Sequence, residues 1–137
     1  SESHKTTQNI LKRKAFTVSF ADKAHVVECD YVGVVSANKE PNKFEKAGFT
    51  AVKSEFVDAP LIEQLPMAFE CELDKVDEDG LIIGKIVNVC ADEHILGKDG
   101  KPDPARFTPI CFDAVNGTYL ALGEVVGKAF SDGLKLK

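Results

Sequence analysis

Apolar and polar positions alternate in several separate stretches of this chain, and a helical spacing takes over in others. Ala15-Phe16-Thr17-Val18-Ser19-Phe20 alternates apolar and small polar residues, which predicts a half-buried strand. Residues 68–76 alternate more cleanly, with Ala68, Glu70, Glu72 and Asp74 on one face and Phe69, Cys71, Leu73 and Lys75 on the other. Asp77-Glu78-Asp79-Gly80 then reads as a hairpin turn, and residues 81–89 as the partner strand. Gly84 inside that strand predicts a bulge or a close backbone approach. Two more strands are expected at 108–112 and 118–122 around the Asn116-Gly117 turn, and a short one at 50–53.

Helical signals are shorter. Thr6 or Thr7 is placed to cap a helix through residues 8–13. Between Asp22 and Ser36, Ala24, Val26, Val27, Tyr31, Val34 and Val35 recur at mostly helical spacing, and Gly33 weakens the end. Residues 38–42 read as a turn, followed by a helical turn at 43–47 that Gly48 closes. Pro60 and Pro66 bracket a helical turn or irregular segment, and residues 92–96 form another helical turn. Residues 97–103 read as a polar turn rather than a calcium loop, because the alternating ladder of acidic ligands is missing. The tail at 123–130 is apolar enough to pack somewhere.

Composition narrows the function classes. The 137 residues are 44% hydrophobic and 28% charged, an ordinary balance for one domain with a core. A net charge of −5 argues against non-specific nucleic-acid binding, which needs clustered cations. The basic runs Lys12-Arg13-Lys14 and Lys135-Leu136-Lys137 read as solvated surface. No apolar run is long enough to span a membrane, so no membrane partner is expected. Ser1-Glu2-Ser3-His4-Lys5 is not followed by the apolar stretch of a signal peptide. Cys29, Cys71, Cys90 and Cys111 have no zinc-like spacing, and reduced, buried thiols in a cytoplasmic protein are the expectation. A Cys71–Cys90 disulfide across the hairpin stays open.

Catalytic motifs are absent: there is no nucleophile elbow, phosphate-binding P-loop, dinucleotide glycine fingerprint or zinc-binding histidine pair. His4, His25 and His94 are scattered, and no metal site is expected. Chemistry would then have to come from a bound cofactor. The best anion site is Ser3-His4-Lys5-Thr6-Thr7-Gln8-Asn9-Ile10, where Lys5, two hydroxyls and a helix start coincide. A capped surface helix would produce the same string.

The order of several motifs resembles a known family. HKTTQNI at residues 4–10, KRKAFTVS at 12–19, AHVVECDYVGVVSA at 24–37 and NKFEKAGFT at 42–50 are similar to flavoredoxin-type flavin reductase domains. VKSEFVDAPLI at 52–62, GLIIGKIVNV at 80–89 and YLALGEVVGKAFS at 119–131 continue the likeness over nearly the whole chain. The resemblance implies a mainly β fold with short helices: a split β-barrel of Greek-key type, spanning residues 1–137, with FMN at or near a homodimer interface. It implies an oxidoreductase moving electrons from a reduced nicotinamide, NAD(P)H, or a protein donor to an acceptor. The alternative is a non-catalytic flavin-binding or electron-carrier module.

On the matching positions, Thr6 corresponds to the threonine at the cofactor phosphate, flanked by His4 and Lys5. Asn9 corresponds to the helix-start asparagine, with a helix-internal role equally open. Lys43 matches a lysine whose ammonium reaches the phosphate, or is a surface lysine before core Phe44. Phe112 matches a position near the flavin ring, or is a core strand residue. Tyr119 is a weaker candidate on similar grounds, and Cys29 and Cys111 read as packing residues. Family members usually carry several strands ahead of the HKT segment and often a Trp beside the ring. This sequence starts almost at that segment and has no Trp, so it is expected either to be part of a longer chain or to have lost an N-terminal piece, and a genuine loss would leave an open barrel edge.

Overall fold

The structure, a computed structural model, describes residues 3–137. Ser1 and Glu2, part of the stretch read for a leader, lie outside the described residues. Helix α1 (Lys5–Arg13) leads into strand β1 (Ala15–Ser19). A 3₁₀ turn at Lys23–His25 opens into α2 (Val26–Val34), and α3 (Lys43–Lys46) follows. Then come β2 (Ala51–Lys53), β3 (Pro60–Ile62) and the long hairpin of β4 (Met67–Val76) and β5 (Ile82–Ala91). A 3₁₀ turn at Glu93–Ile95, α4 (Pro104–Phe107), β6 (Ile110–Asp113), β7 (Thr118–Ala121) and a 3₁₀ turn at Asp132–Leu136 complete the order.

The described strands make three antiparallel sheets: β1-β4-β5, β2-β3 and β6-β7. In the first, Phe16 faces Cys71 and Val18 faces Phe69, while Ala68 faces Cys90 across the hairpin. The buried apolar residues are Ile10, Ala15, Phe49, Leu65, Ala68, Cys71 and Ile95. They lie where α1, the sheet and the flanking turns meet, and Phe20 adds an edge-to-face contact with Phe69.

Two register shifts interrupt β4–β5, one between Glu70 and Cys71 and one between Leu73 and Lys75. The first leaves Val87 as an extra residue in β5 and the second leaves Asp74 as one in β4, and the second breaks the clean alternation expected for 68–76 after Leu73. Consecutive Glu70 and Cys71 are both buried. Gly84 was expected to mark a bulge or a close backbone approach; the extra residue lies opposite it, at Asp74 of β4, and the close neighbour is a side-chain ring. Gly84 faces Leu73 beside the second shift, and a Cβ there would lie 2.6 Å from Phe16 Cε1. The Phe16 ring crosses β4 and occupies the space a side chain would need.

Other readings are corrected by backbone pairing. The helix begins at Lys5 with His4 as N-cap, and no side chain caps it. Thr6 and Thr7 therefore lie inside the first turn and cap nothing. The segment after Pro60 is a strand, paired with β2 from Lys53↔Pro60 to Ala51↔Ile62. Proline is tolerated there because it occupies the first strand position. The short helix α4, not anticipated, starts from Asp103, whose side chain accepts from Ala105 N, with Pro104 at its first turn. The tail does not pack: Val125, Val126 and Phe130 are 89%, 94% and 102% exposed. Residues 122–129 join no strand or helix, so they have no continuous apolar face to lay on the sheet. The four cysteines are free thiols, with Cys71 buried and Cys111 exposed. Cys71 pairs with Ile86 and Cys90 with Ala68, so the two thiols are not cross-strand neighbours. Cys111 does not pack as expected, because β6–β7 is a two-stranded ribbon open on its outer side.

Candidate functional site

The start of α1 presents three N–H groups with no acceptor inside the helix. The first intrahelical bond runs from Gln8 N to His4 O. No acidic residue occupies the first turn, so the positive end of the helix dipole stays uncompensated there. Two features place this end opposite α2. Asn38 Nδ2 donates to Ser3 O at 2.8 Å, tying the 36–40 turn to the helix entrance. Lys43 Nζ donates to Val32 O at 2.6 Å and Val35 O at 2.8 Å, satisfying carbonyls that the end of α2 leaves open.

Between them lies a cavity of about 380 Å³. His4, Lys5 and Thr6 form one wall, Lys43 and the 32–37 segment the other, and among the described residues no carboxylate lines it. His4, Lys5 and Thr6 are exposed and Lys43 is half-buried. The half-burial and the two carbonyl bonds hold the ammonium in one place. A helix entrance, a hydroxyl and two lysines with no opposing acid suit a phosphate-type anion. The residues present therefore fit the phosphate end of a nucleotide-like cofactor.

The remaining candidates stand elsewhere. Asn9 lines a separate cavity of about 780 Å³ with Arg13 and residues 51–60. Arg13 Nη1 bonds Asp58 Oδ1 at 2.6 Å across that cavity's rim. Its floor is anchored by Glu70, which is 1% exposed. Glu70 accepts from Ser54 Oγ and Asn88 Nδ2, while Ser54 Oγ accepts from Phe56 N and Val57 N. A buried carboxylate thus fixes a surface loop through one serine, a role the strand pattern did not reveal. Phe112 is 59% exposed, not a core strand residue, and packs on Tyr119 at 5.7 Å between ring centroids. Tyr119 Oη donates to Asp30 Oδ1 at 2.7 Å, which raises the phenol above its ordinary range.

The part of the site that sequence reasoning missed is the 32–37 wall. Its signal was the end of a helix carrying no basic residue in its last turn, so that a cation from elsewhere in the chain was needed.

Residues 1–109 match the flavin reductase like domain. An uncharacterized protein of Aquifex aeolicus (strain VF5) is 32% identical over 124 residues, covering 87% of this chain and 62% of that protein. The chain thus spans less than two thirds of the length of that relative. The structure of flavoredoxin of Desulfovibrio vulgaris (Miyazaki F) superposes with a TM-score of 0.92 at 40% identity, covering 97% of this chain and 72% of that one. An FMN-binding domain of a flavin reductases-like enzyme from Shewanella baltica OS155 shares the fold, with a TM-score of 0.80 at 18% identity over 93% of this chain and 70% of that one. Mostly β with short helices, and built on the split-barrel plan of these proteins, the chain belongs to the flavin reductase-like domain family.

Proposed function

We propose that residues 1–137 form an FMN-binding flavin reductase-like domain that moves electrons between a reduced nicotinamide or protein donor and an acceptor. The single observation that carries the reading is the cavity where the entrance of α1 meets Lys43, lined by no carboxylate among the described residues. Thr6 and the backbone of the first turn hold the terminal phosphate, with Lys5 and His4 at its edge. Lys43 balances the charge from the opposite wall. The redox chemistry at the site would be supplied by FMN when bound. The chain's task is to fix the phosphate so that the ring has one position, and to keep water from the ring's reacting face. Asn9 supports the helix from its outer side.

Phe112, exposed on its hairpin, is assigned to the ring through pairing of two copies of the chain. Free thiols and the lack, among the described residues, of any helix long and apolar enough to cross a membrane support a cytoplasmic setting.

The test compares FMN with riboflavin, which lacks the phosphate. Thr6→Val and Lys43→Met are each expected to weaken FMN about tenfold, the loss of one charge-assisted contact, and to leave riboflavin unchanged. Equal losses for both flavins, or none for either, would remove the phosphate from this cavity. Anaerobic bleaching of the bound flavin by NADH or NADPH then separates turnover from a carrier role.

A further inference from the structure

A second cavity, of about 530 Å³, lies between the Lys23–His25 turn and α4, and shares no residue with the one above. Lys23, His25, His94 and Arg106 line it, with Gln64 and Thr108. Four cationic or protonatable side chains converge from three separate elements. Among the described residues, the one carboxylate on its wall is Asp22, which is 5% exposed. Its Oδ1 already accepts from His25 N at 2.9 Å and bonds His25 Nδ1 at 2.8 Å. That pairing fixes the imidazole and leaves Nε2 as the ring's remaining polar atom.

Two nearby carboxylates are not on the wall. Asp92 stands 3.7 Å from His94 Nδ1 and Asp103 stands 3.8 Å from Arg106 Nε, both beyond hydrogen-bond range. Asp103 is engaged as the N-cap of α4, accepting from Ala105 N. Arg106 Nη1 donates to His94 O at 3.3 Å, which holds α4 against the Glu93–Ile95 turn. His25 is thus closely paired with Asp22, His94 and Arg106 have a carboxylate at the outer limit of an ion pair, and Lys23 makes no ion pair among the described residues.

We propose that this cavity is a second anion site, which takes the phosphate or pyrophosphate group of a small molecule. Lining residues come from three separate elements, and several donors set around one space suit the three free oxygens of a phosphate group. The proposal goes beyond the flavin reading and does not depend on it.

The three histidines make the two sites separately readable: His4 belongs to the first cavity, and His25 and His94 to the second. Pyrophosphate is titrated into the full chain while the imidazole carbon-bound protons are followed by NMR. The expected result is saturable movement of His25 and His94, weakened about tenfold by Arg106→Ala and unchanged by Lys43→Met. Arg106 is exposed but also bonds His94 O, so a thermal melt and Arg106→Lys, which keeps the charge and should retain binding, separate loss of the anion contact from a shift of α4. ADP is the second probe. If it binds more tightly than pyrophosphate, the phosphates of a nucleotide are read; if equally, the phosphate group alone is. Movement at His4 only, the same shifts with matched sodium chloride, no effect of Arg106→Ala, or tighter binding of citrate each overturns the proposal.

Discussion

Cys71 and Cys111 show how far one residue type can diverge within one fold. Burial pushes the thiols of Cys71, Cys90 and Cys29 upward; nearby Glu70 adds to the shift at Cys90, and Asp22 and Glu28 add to it at Cys29. A raised thiol carries less thiolate at neutral pH, and thiolate is the reactive form. Brief treatment with iodoacetamide at neutral pH, read by peptide mass spectrometry, is expected to modify exposed Cys111 first. Raising the pH should speed the three slower sites as their thiolates form. Modification of Cys71 ahead of Cys111 would contradict the burial described. The sequence announced four thiols with no metal spacing, but not which would be exposed. That depended on the register of β4 and on whether the β6–β7 ribbon is covered.

At the scale of elements, the β4–β5 hairpin was the most legible feature, because alternation, the Asp77–Gly80 turn and Gly84 all pointed to it. Its interior was not legible. Glu70 and Cys71 follow one another in unbroken register with β1 and are both buried, so both faces of β4 are covered there, and a period of two reveals neither this nor the two register shifts. Gly84→Ala tests the close approach directly. The added methyl meets the Phe16 ring and comes within 3.3 Å of Cys71 Cβ, so the substitution should cost about 1–3 kcal/mol by overpacking. In urea denaturation, Phe16→Leu combined with Gly84→Ala should recover part of that loss, and the pair should be clearly non-additive. Additive losses would mean that the ring is not the obstacle. The start of α1 was legible as an anion-binding string, but its extent was not. Helix begins at Lys5, with His4 in extended backbone as N-cap, and Thr6 thereby lines the cavity rather than capping the helix.

For the whole molecule, the exposed apolar residues matter most. Phe112, Leu120, Leu122, Val125, Val126 and Phe130 form an exposed stretch running from the β6–β7 ribbon into the tail. Exposure on this scale is the mark of an interaction surface, and a second copy is the occupant proposed with the flavin reading. Sedimentation at micromolar concentration is expected to show a dimer that Val126→Ser with Phe130→Ser shifts toward monomer. A parent chain that is monomeric throughout would remove the dimer. The sequence by itself determined the strands other than β3, the hairpin turns, the basic helix entrance and the family likeness, because these depend on neighbouring residues and on the order of short motifs. Only the tertiary structure decided that Lys43 would close the α1 cavity, that Asn9 would face a different one, and that Asp22, His25, His94 and Arg106 would meet. Those encounters join residues far apart in the chain, and distance along a sequence carries no record of which side chains the packed backbone brings together.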